Sequence, residues 1–407
     1  MGPSHPATHG TIKFNLTLEG EKILACDTEV GYLHRGFAKS CEQATWTQVF
    51  PYTDRLNYAS PLINNVGYAL AVEKLIGLET PPRCQFIRVI MSELSRIHDH
   101  LTCCAMASSE LGAITAGFYM MEAREHVMRT IEVVTGARLT VTYARIGGVK
   151  HDLPYDFTDR VARDFQMVRK MLADCDRLIS RNRIFIDRLS DIAVISKETA
   201  ISYGLTGPIL RSTGVNYDVR KAQPYLVYDQ LDFEVPLGTK GDNYDRFVCR
   251  VQEIEQSMGL VEQALKAIPL GEVFVDDARF VLPQKEKVYN SIEGLMHHFK
   301  IITEGIHVPT GEVYQAVEGA NGELGFFIVS DGGGRPYRIR VRPPCFIAMA
   351  AFSEMVRGHM TADLCPWPVH DRRRMRSMNR PRTEVGSQLG ITRQAFGTAR
   401  VRWTIED

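Results

Sequence analysis

Between Thr11 and Leu18 apolar and polar residues alternate, Glu19-Gly-Glu turns the chain, and Lys22-Ile-Leu-Ala-Cys runs back. Period two on both sides of a glycine turn predicts a β-hairpin within residues 11–35. From about residue 40 the spacing becomes helical. Pro61 to Leu78 carries apolar residues on a helical period, and Pro81-Pro82 ends that helix and starts another. The second runs from about Arg83 to Glu110, where Leu111-Gly112 stops it. A third spans about Ala116 to Thr135, and residues 155–190 form a fourth long helical stretch. Long helices with short connections over 40–190 predict a bundle. Residues 191–245 are irregular, with Gly204, Gly207, Gly214 and Gly238 between short strand-like runs. Tyr244 to Ile268 and residues 285–303 return to helix. Gly311 to Val317, Glu323 to Ser330 and Tyr337 to Arg342, joined by Asn321-Gly322 and Gly332-Gly-Gly, predict a β-meander. Pro343-Pro344 ends it, and a short helix reaches about Arg357. The expected class is α+β: an N-terminal loop and β domain at 1–39, a long-helix bundle at 40–190, a mixed region with the meander at 191–363, and an atypical tail at 364–407.

Composition narrows the class. The chain has 407 residues, 44% of them apolar, with 48 basic and 48 acidic side chains. A formal charge of zero argues against nucleic acid as the main partner. It also withholds the charge that keeps a free monomer soluble, which favours life inside a complex. No apolar, uncharged run reaches 18 residues, so no transmembrane helix is expected, and no signal or transit segment precedes the patterned sequence.

Nine cysteines are scattered, and no Cys-x-x-Cys occurs. Iron–sulfur clusters and four-cysteine zinc sites use closely spaced pairs, so the chain is expected to hold no cluster or metal of its own. Scattered thiols fit a reducing compartment, cytosolic or matrix-side, with each cysteine serving as a small buried hydrophobe.

Four places could carry chemistry. Gly2-Pro-Ser-His-Pro-Ala-Thr-His-Gly is a shaped loop with two histidines, His5 and His9. Histidine donates and accepts protons near neutrality, though a satisfied loop histidine is the simpler reading. Gly31-Tyr-Leu-His-Arg-Gly puts Arg35 in a turn, where it could anchor the turn or an acidic partner. Asp54-Arg-Leu-Asn-Tyr places Tyr58 before the first long helix, a core aromatic unless its hydroxyl faces a cavity. On the second helix Glu93 and Arg96 are three apart, and Arg96 and His100 are four apart, on one face. Such a face is ordinarily solvated, and an apolar surround would make it a buried network. Glu110 sits at that helix's C-terminus, where the dipole disfavours a carboxylate.

Taken together, these segments with Tyr68-Ala-Leu-Ala-Val-Glu-Lys, Arg88-Val-Ile-Met-Ser-Glu-Leu-Ser-Arg-Ile, Arg145-Ile-Gly-Gly-Val, Ser212-Thr-Gly-Val-Asn-Tyr-Asp-Val-Arg, Gly322-Glu-Leu-Gly-Phe-Phe-Ile-Val-Ser-Asp-Gly-Gly and Tyr337-Arg-Ile-Arg-Val-Arg-Pro-Pro resemble one family over residues 1 to about 363. It is the 49-kDa, or D-type, subunit of respiratory complex I, the proton-pumping NADH:quinone oxidoreductase. The resemblance implies a fold like the large subunit of nickel–iron hydrogenases, whose two Cys-x-x-Cys nickel ligand pairs are missing here. It implies a peripheral place on the inner membrane, on the cytoplasmic side in bacteria or the matrix side in mitochondria. Quinone is the implied substrate, and the implied [4Fe–4S] cluster sits in an adjacent subunit. A 30-kDa, C-type subunit and a membrane subunit at the quinone channel are further implied partners.

The resemblance also assigns roles. Tyr58 matches a tyrosine that hydrogen-bonds the quinone head group, and His9 the histidine at the other carbonyl. Each carbonyl oxygen gains charge on reduction and needs a donor. Reference pKa values of about 10 for tyrosine and about 6.5 for histidine bracket physiological pH, so both can be loaded with a proton beforehand. Glu110 stands where the family usually has an aspartate partnering the histidine. Arg35 matches an arginine near the neighbouring cluster, whose potential a guanidinium would raise. His5, Arg96 and His100 match positions with structural parts. Thr115-Ala-Gly-Phe-Tyr departs from the family's usual proline after the threonine, so the pocket wall is expected to differ.

Two rivals are a hydrogenase-like large subunit with its own nickel and a non-catalytic assembly protein of the same family. The match ends near Thr361-Ala-Asp, where the family's acidic terminal segment would follow. Residues 364–407 hold nine arginines, no lysine and four acidic residues. They are expected to be disordered, or to come from out-of-frame reading of a GC-rich gene, with a genuine basic extension as the alternative.

Overall fold

The structure is a computed structural model and describes residues 1–5 and 11–364. His9 and the expectations for the tail beyond Leu364 lie outside the described residues. The hairpin forms from β1 (Lys13–Glu19) and β2 (Lys22–Glu29), antiparallel. Short helices α1 (Phe37–Gln43) and α2 (Phe50–Thr53) lead to α3 (Pro61–Ile76), α4 (Pro82–Glu110) and α5 (Ile114–Thr135). Proline opens both α3 and α4, where its missing N–H costs nothing.

A two-residue ladder, β3 (Ala144–Arg145) with β4 (Gly148–Val149), precedes α6 (Phe157–Ile179). The long helix expected to reach residue 190 stops at Ile179. Asn182 instead caps a separate α7 (Arg183–Asp187), its side chain accepting from the Ile184 and Phe185 amides.

The strand-like runs expected within 191–245 join no sheet among the described residues. The backbone there forms short helices α8 (Lys197–Ser202), α9 (Pro208–Arg211) and α10 (Val219–Ala222) before α11 (Asn243–Ala267). Residues 285–303 are two helices, α12 (Lys285–Asn290) and α13 (Ile292–Thr303), because Ser291 turns outward and caps the second. The meander is β5 (Gly311–Gly319), β6 (Gly322–Ser330) and β7 (Arg338–Arg342) in sequential antiparallel order, followed by α14 (Pro344–Met355).

At 1.5 Å per residue the 29 residues of α4 span about 44 Å. Every residue from Phe86 to Ala105 is buried, because α3, α5 and α11 surround the helix. Ile90, Leu94 and Ile97 meet Val127, Ile131, Phe165, Met258 and Val261 in the main core. A second core forms where α3 lies on the meander, Tyr68, Val72, Val317, Phe326 and Ile339 packing together. A Cβ at Gly67 would come within 2.8 Å of the Val317 side chain, so glycine is what lets helix and sheet meet. The hairpin is tied down by Phe14, whose ring lies 4.7 Å from Phe352 on α14. A buried Glu73–Arg88 pair at 2.6 Å joins α3 to α4. Glu73 also accepts the Gly147 amide at 2.7 Å, fixing the turn between β3 and β4.

Candidate functional site

The segment between α2 and α3 is bent by successive tight turns, Leu56 N–H to Thr53 C=O and Ser60 N–H to Asn57 C=O, both 3.1 Å. Its side chains are held from below. Asn57 donates to Asp99 at 2.9 Å and to Ser60, while Asn64 donates to the Asn57 carbonyl at 3.1 Å. His98 Nδ1–H donates to the Ala59 carbonyl at 2.6 Å, and its Nε2 accepts from Arg124 at 2.9 Å. This ring is therefore neutral, with the tautomer set by its two partners. Tyr58 is left half-exposed between these anchors.

Arg35 comes from the turn after β2, where Gly36 adopts φ 62 and caps α1. Arg35 and Tyr58 line one cavity of about 770 Å³ with Phe37, Ser40, Tyr52, Arg55, Leu139 and Thr140. Two phenols, two aliphatic hydroxyls and two guanidinium groups face it, with no carboxylate among these lining residues. Such a wall suits a neutral planar ligand that gains negative charge. Ser40, Tyr52, Arg55 and Thr140 were not marked by the sequence reading. Arg55 lies within a family motif, yet only a cavity gives a surface arginine this meaning.

The remaining site candidates lie elsewhere. His5 is exposed, and Glu110 is the half-buried last residue of α4. Arg96 and His100 are fully buried, so their helix face is a network rather than a solvated surface. Glu93 pairs with Arg96 and Arg220, each at 3.2 Å, and accepts from Tyr228 and Ser257. Arg220 holds Asp218 at 2.7 Å. Arg211 holds Glu253 at 2.6 Å and Glu318 at 2.9 Å. His100 Nε2 donates to Glu253 at 2.7 Å. The network thus binds α4, α9, α10, α11 and β5 into one unit. The Ser212 to Arg220 motif was read only as a family mark. The signal missed was a row of charges inside a helix without a polar face.

Electrostatics follow from this geometry. Burial is the largest influence on the Glu253 carboxyl, yet Arg211 and His100 together hold it well below the usual range. Asp218 is likewise lowered to about 2, burial being outweighed by Arg220 and Arg211. Glu318 goes the other way, raised by burial and by Asp218. Burial also lowers His100, against Glu253, with Arg250 and Arg96 adding to the decrease. Unfolding lets that ring take up a proton near its ordinary pKa of 6.5. Stability should therefore fall on acidification below that value, by about 1.4 kcal/mol per pH unit. The depressed carboxylates add to the loss only below their ordinary range, where Glu318 opposes it. Thermal unfolding of the assembled protein at pH values from about 7 to about 5 should show the decline, and His100→Asn should flatten it. Equal slopes for both proteins would remove His100 from the account.

Eight described cysteines, Cys26 to Cys345, are buried. Among the described residues no group of three or more His, Cys, Asp or Glu is placed to hold a metal ion, and no helix is long and apolar enough to cross a membrane.

Comparison with known proteins gives the family. Residues 110–367 match the family described as respiratory-chain NADH dehydrogenase, 49 Kd subunit. The first of two D-type subunits of NADH-quinone oxidoreductase in Sorangium cellulosum is 53% identical over 367 residues, covering 90% of this chain and 91% of the relative. The chain belongs to the 49-kDa subunit family of the respiratory-chain NADH dehydrogenase. The D-type subunit of Myxococcus xanthus is 52% identical over 366 residues, covering 90% of this chain and 88% of that protein. The joined C/D subunit of NADH-quinone oxidoreductase in Bdellovibrio bacteriovorus is 49% identical over 363 residues, 89% of this chain but 65% of that protein. As a 49-kDa-type subunit the chain is part of an oxidoreductase complex of the respiratory chain, and other complex I subunits are its partners.

Proposed function

We propose that the cavity beneath Arg35 and Tyr58 is where quinone is bound and reduced in a proton-translocating complex. The carrying observation is that Arg35 and Tyr58, from separate elements, line one cavity walled by hydrogen-bond donors without carboxylates. A quinone that takes up two electrons and two protons becomes a hydroquinone, and charge builds on both carbonyl oxygens as the electrons arrive. Tyr58 donates at one oxygen and His9 at the other. Glu110 partners His9, with one methylene more reach than the usual aspartate. Arg35 faces the [4Fe–4S] cluster of a neighbouring subunit and favours its reduced form by its positive charge.

This reading places the protein peripherally at the membrane, on the cytoplasmic or matrix side. A C-type subunit is a neighbour, as the joined C/D relative suggests, and the quinone channel is completed by a membrane subunit. It also takes the fold as hydrogenase-like, divided at 1–39, 40–190 and 191–363, with the nickel site lost. A photoreactive quinone analogue illuminated on the assembled complex should label segments 35–40, 52–58 or 139–140, and excess quinone should suppress the labelling. Labelling confined to other segments would refute the assignment.

A further inference from the structure

The two walls of the cavity are distant in sequence. One carries Tyr52, Arg55 and Tyr58, and the other is the loop bearing Leu139 and Thr140. One buried carboxylate joins them. Asp54, wholly buried, accepts the Thr142 hydroxyl on Oδ2 and the Thr142 amide on Oδ1 at 3.3 Å. The same Oδ1 accepts Asn65 Nδ2 at 2.7 Å, so the tie is anchored to α3. Asn65 completes it by accepting the Tyr143 amide at 3.3 Å and donating to Thr53 at 3.0 Å. Thr142 sits at φ 41, a left-handed conformation that β-branched residues rarely adopt. Such a conformation persists only where its surroundings overdetermine it, and it clusters at functional sites. Here the surroundings are two hydrogen bonds to one carboxylate. Burial raises the Asp54 pKa while Thr142, Asn65 and Arg55 oppose the rise, as expected of a group whose lone pairs are already engaged.

We propose that the Asp54–Thr142 tie sets the separation between the Tyr58 wall and the Leu139–Thr140 wall, and so selects which quinone rings fit. Both are positioning residues. They act through Tyr58 and the loop, and neither lines the cavity. The inference rests on the reading of the cavity as the quinone site.

The test uses the assembled complex and two short-chain substrates, a methoxy-substituted benzoquinone and a wider naphthoquinone. NADH oxidation by an upstream artificial acceptor counts assembled enzyme. Thr142→Ala removes the hydroxyl, and Thr142→Ser keeps it. Misplacement by about 1 Å can cost on the order of 10²-fold, so a looser wall should change the ratio of the two kcat/KM values by roughly tenfold, mainly through KM. Thr142→Ser should retain the wild-type ratio. A tie that served stability alone would lower both substrates in proportion to assembled enzyme. If Thr142→Ala does not assemble, Thr142→Gly suits the φ of 41 and also lacks the hydroxyl, so it replaces alanine. Tyr58→Phe runs beside these variants. If it is impaired while the Thr142→Ala or Thr142→Gly ratio stays within about twofold of wild type, the tie is overturned and the quinone reading stands. If Tyr58→Phe reduces both quinones normally, both inferences fall.

Discussion

Tyr58→Phe should slow quinone reduction by the assembled complex by about 10²–10³-fold, the usual cost of one donor that stabilises charge in the transition state. The ring still fills its place, because the anchors of its segment belong to other residues: Asn57 to Asp99, and Ala59 to His98. Folding and assembly should be unaffected, and NADH oxidation by an artificial acceptor upstream of the quinone step should stay at the wild-type rate. Only the phenolic hydroxyl is removed from the cavity wall. The remaining lining donors, Ser40, Tyr52, Arg35, Arg55 and Thr140, set the residual rate. Steady-state turnover with a short-chain quinone, normalised to assembled enzyme, makes the comparison. Turnover equal to wild type would take Tyr58 out of the mechanism.

A second substitution should act on the whole molecule. Arg211→Met leaves Glu253, Glu318 and Asp218 buried around a thioether where a guanidinium stood. Breaking a buried ion pair by removing one partner costs about 3–5 kcal/mol, since the survivors keep their desolvation penalty. Domains are stable by only about 5–15 kcal/mol, so the variant should accumulate poorly and enter the complex at a small fraction of the wild-type level. Arg211→Lys should rescue it only in part. The arginine reaches Glu253 through Nε and Nη2 and Glu318 through Nη1, a fork that an ammonium cannot reproduce. Quantitative immunoblotting of membranes, with thermal unfolding of whatever assembles, gives the measure. Wild-type abundance for Arg211→Met would mean that the neighbouring carboxylates take up protons at little cost.

Much of the fold was legible because backbone periodicity is local. The hairpin, α3, α4, α5, α11 and the meander each announce themselves through apolar spacing and through proline or glycine at their ends. The stretch from 191 to 242 was not legible, because side-chain charges hold it in place of a backbone ladder. Arg211, Asp218 and Arg220 find partners on α4, α11 and β5, more than thirty residues away. No window of sequence contains such a pairing. The breaks at Asn182 and Ser291 were missed for a different reason. Each is one capping side chain inside a run whose apolar period continues. At the cavity, Tyr58 and Arg35 were reached through motif resemblance, and Arg55, Tyr52, Ser40 and Thr140 through shape. Thr142 could be reached in neither way, because its backbone conformation leaves no mark on residue type.

Helices α12 and α13 bury none of their residues in this chain, and Ile292, Leu295, Met296, Phe299 and Ile302 stand exposed along α13 at helical spacing. A newly synthesised copy with no neighbours yet would carry that greasy ladder bare, on a molecule whose zero net charge offers little mutual repulsion. Timing then matters as much as folding. A surplus of this protein over its companions would clump or be degraded, so its synthesis has to be matched to theirs.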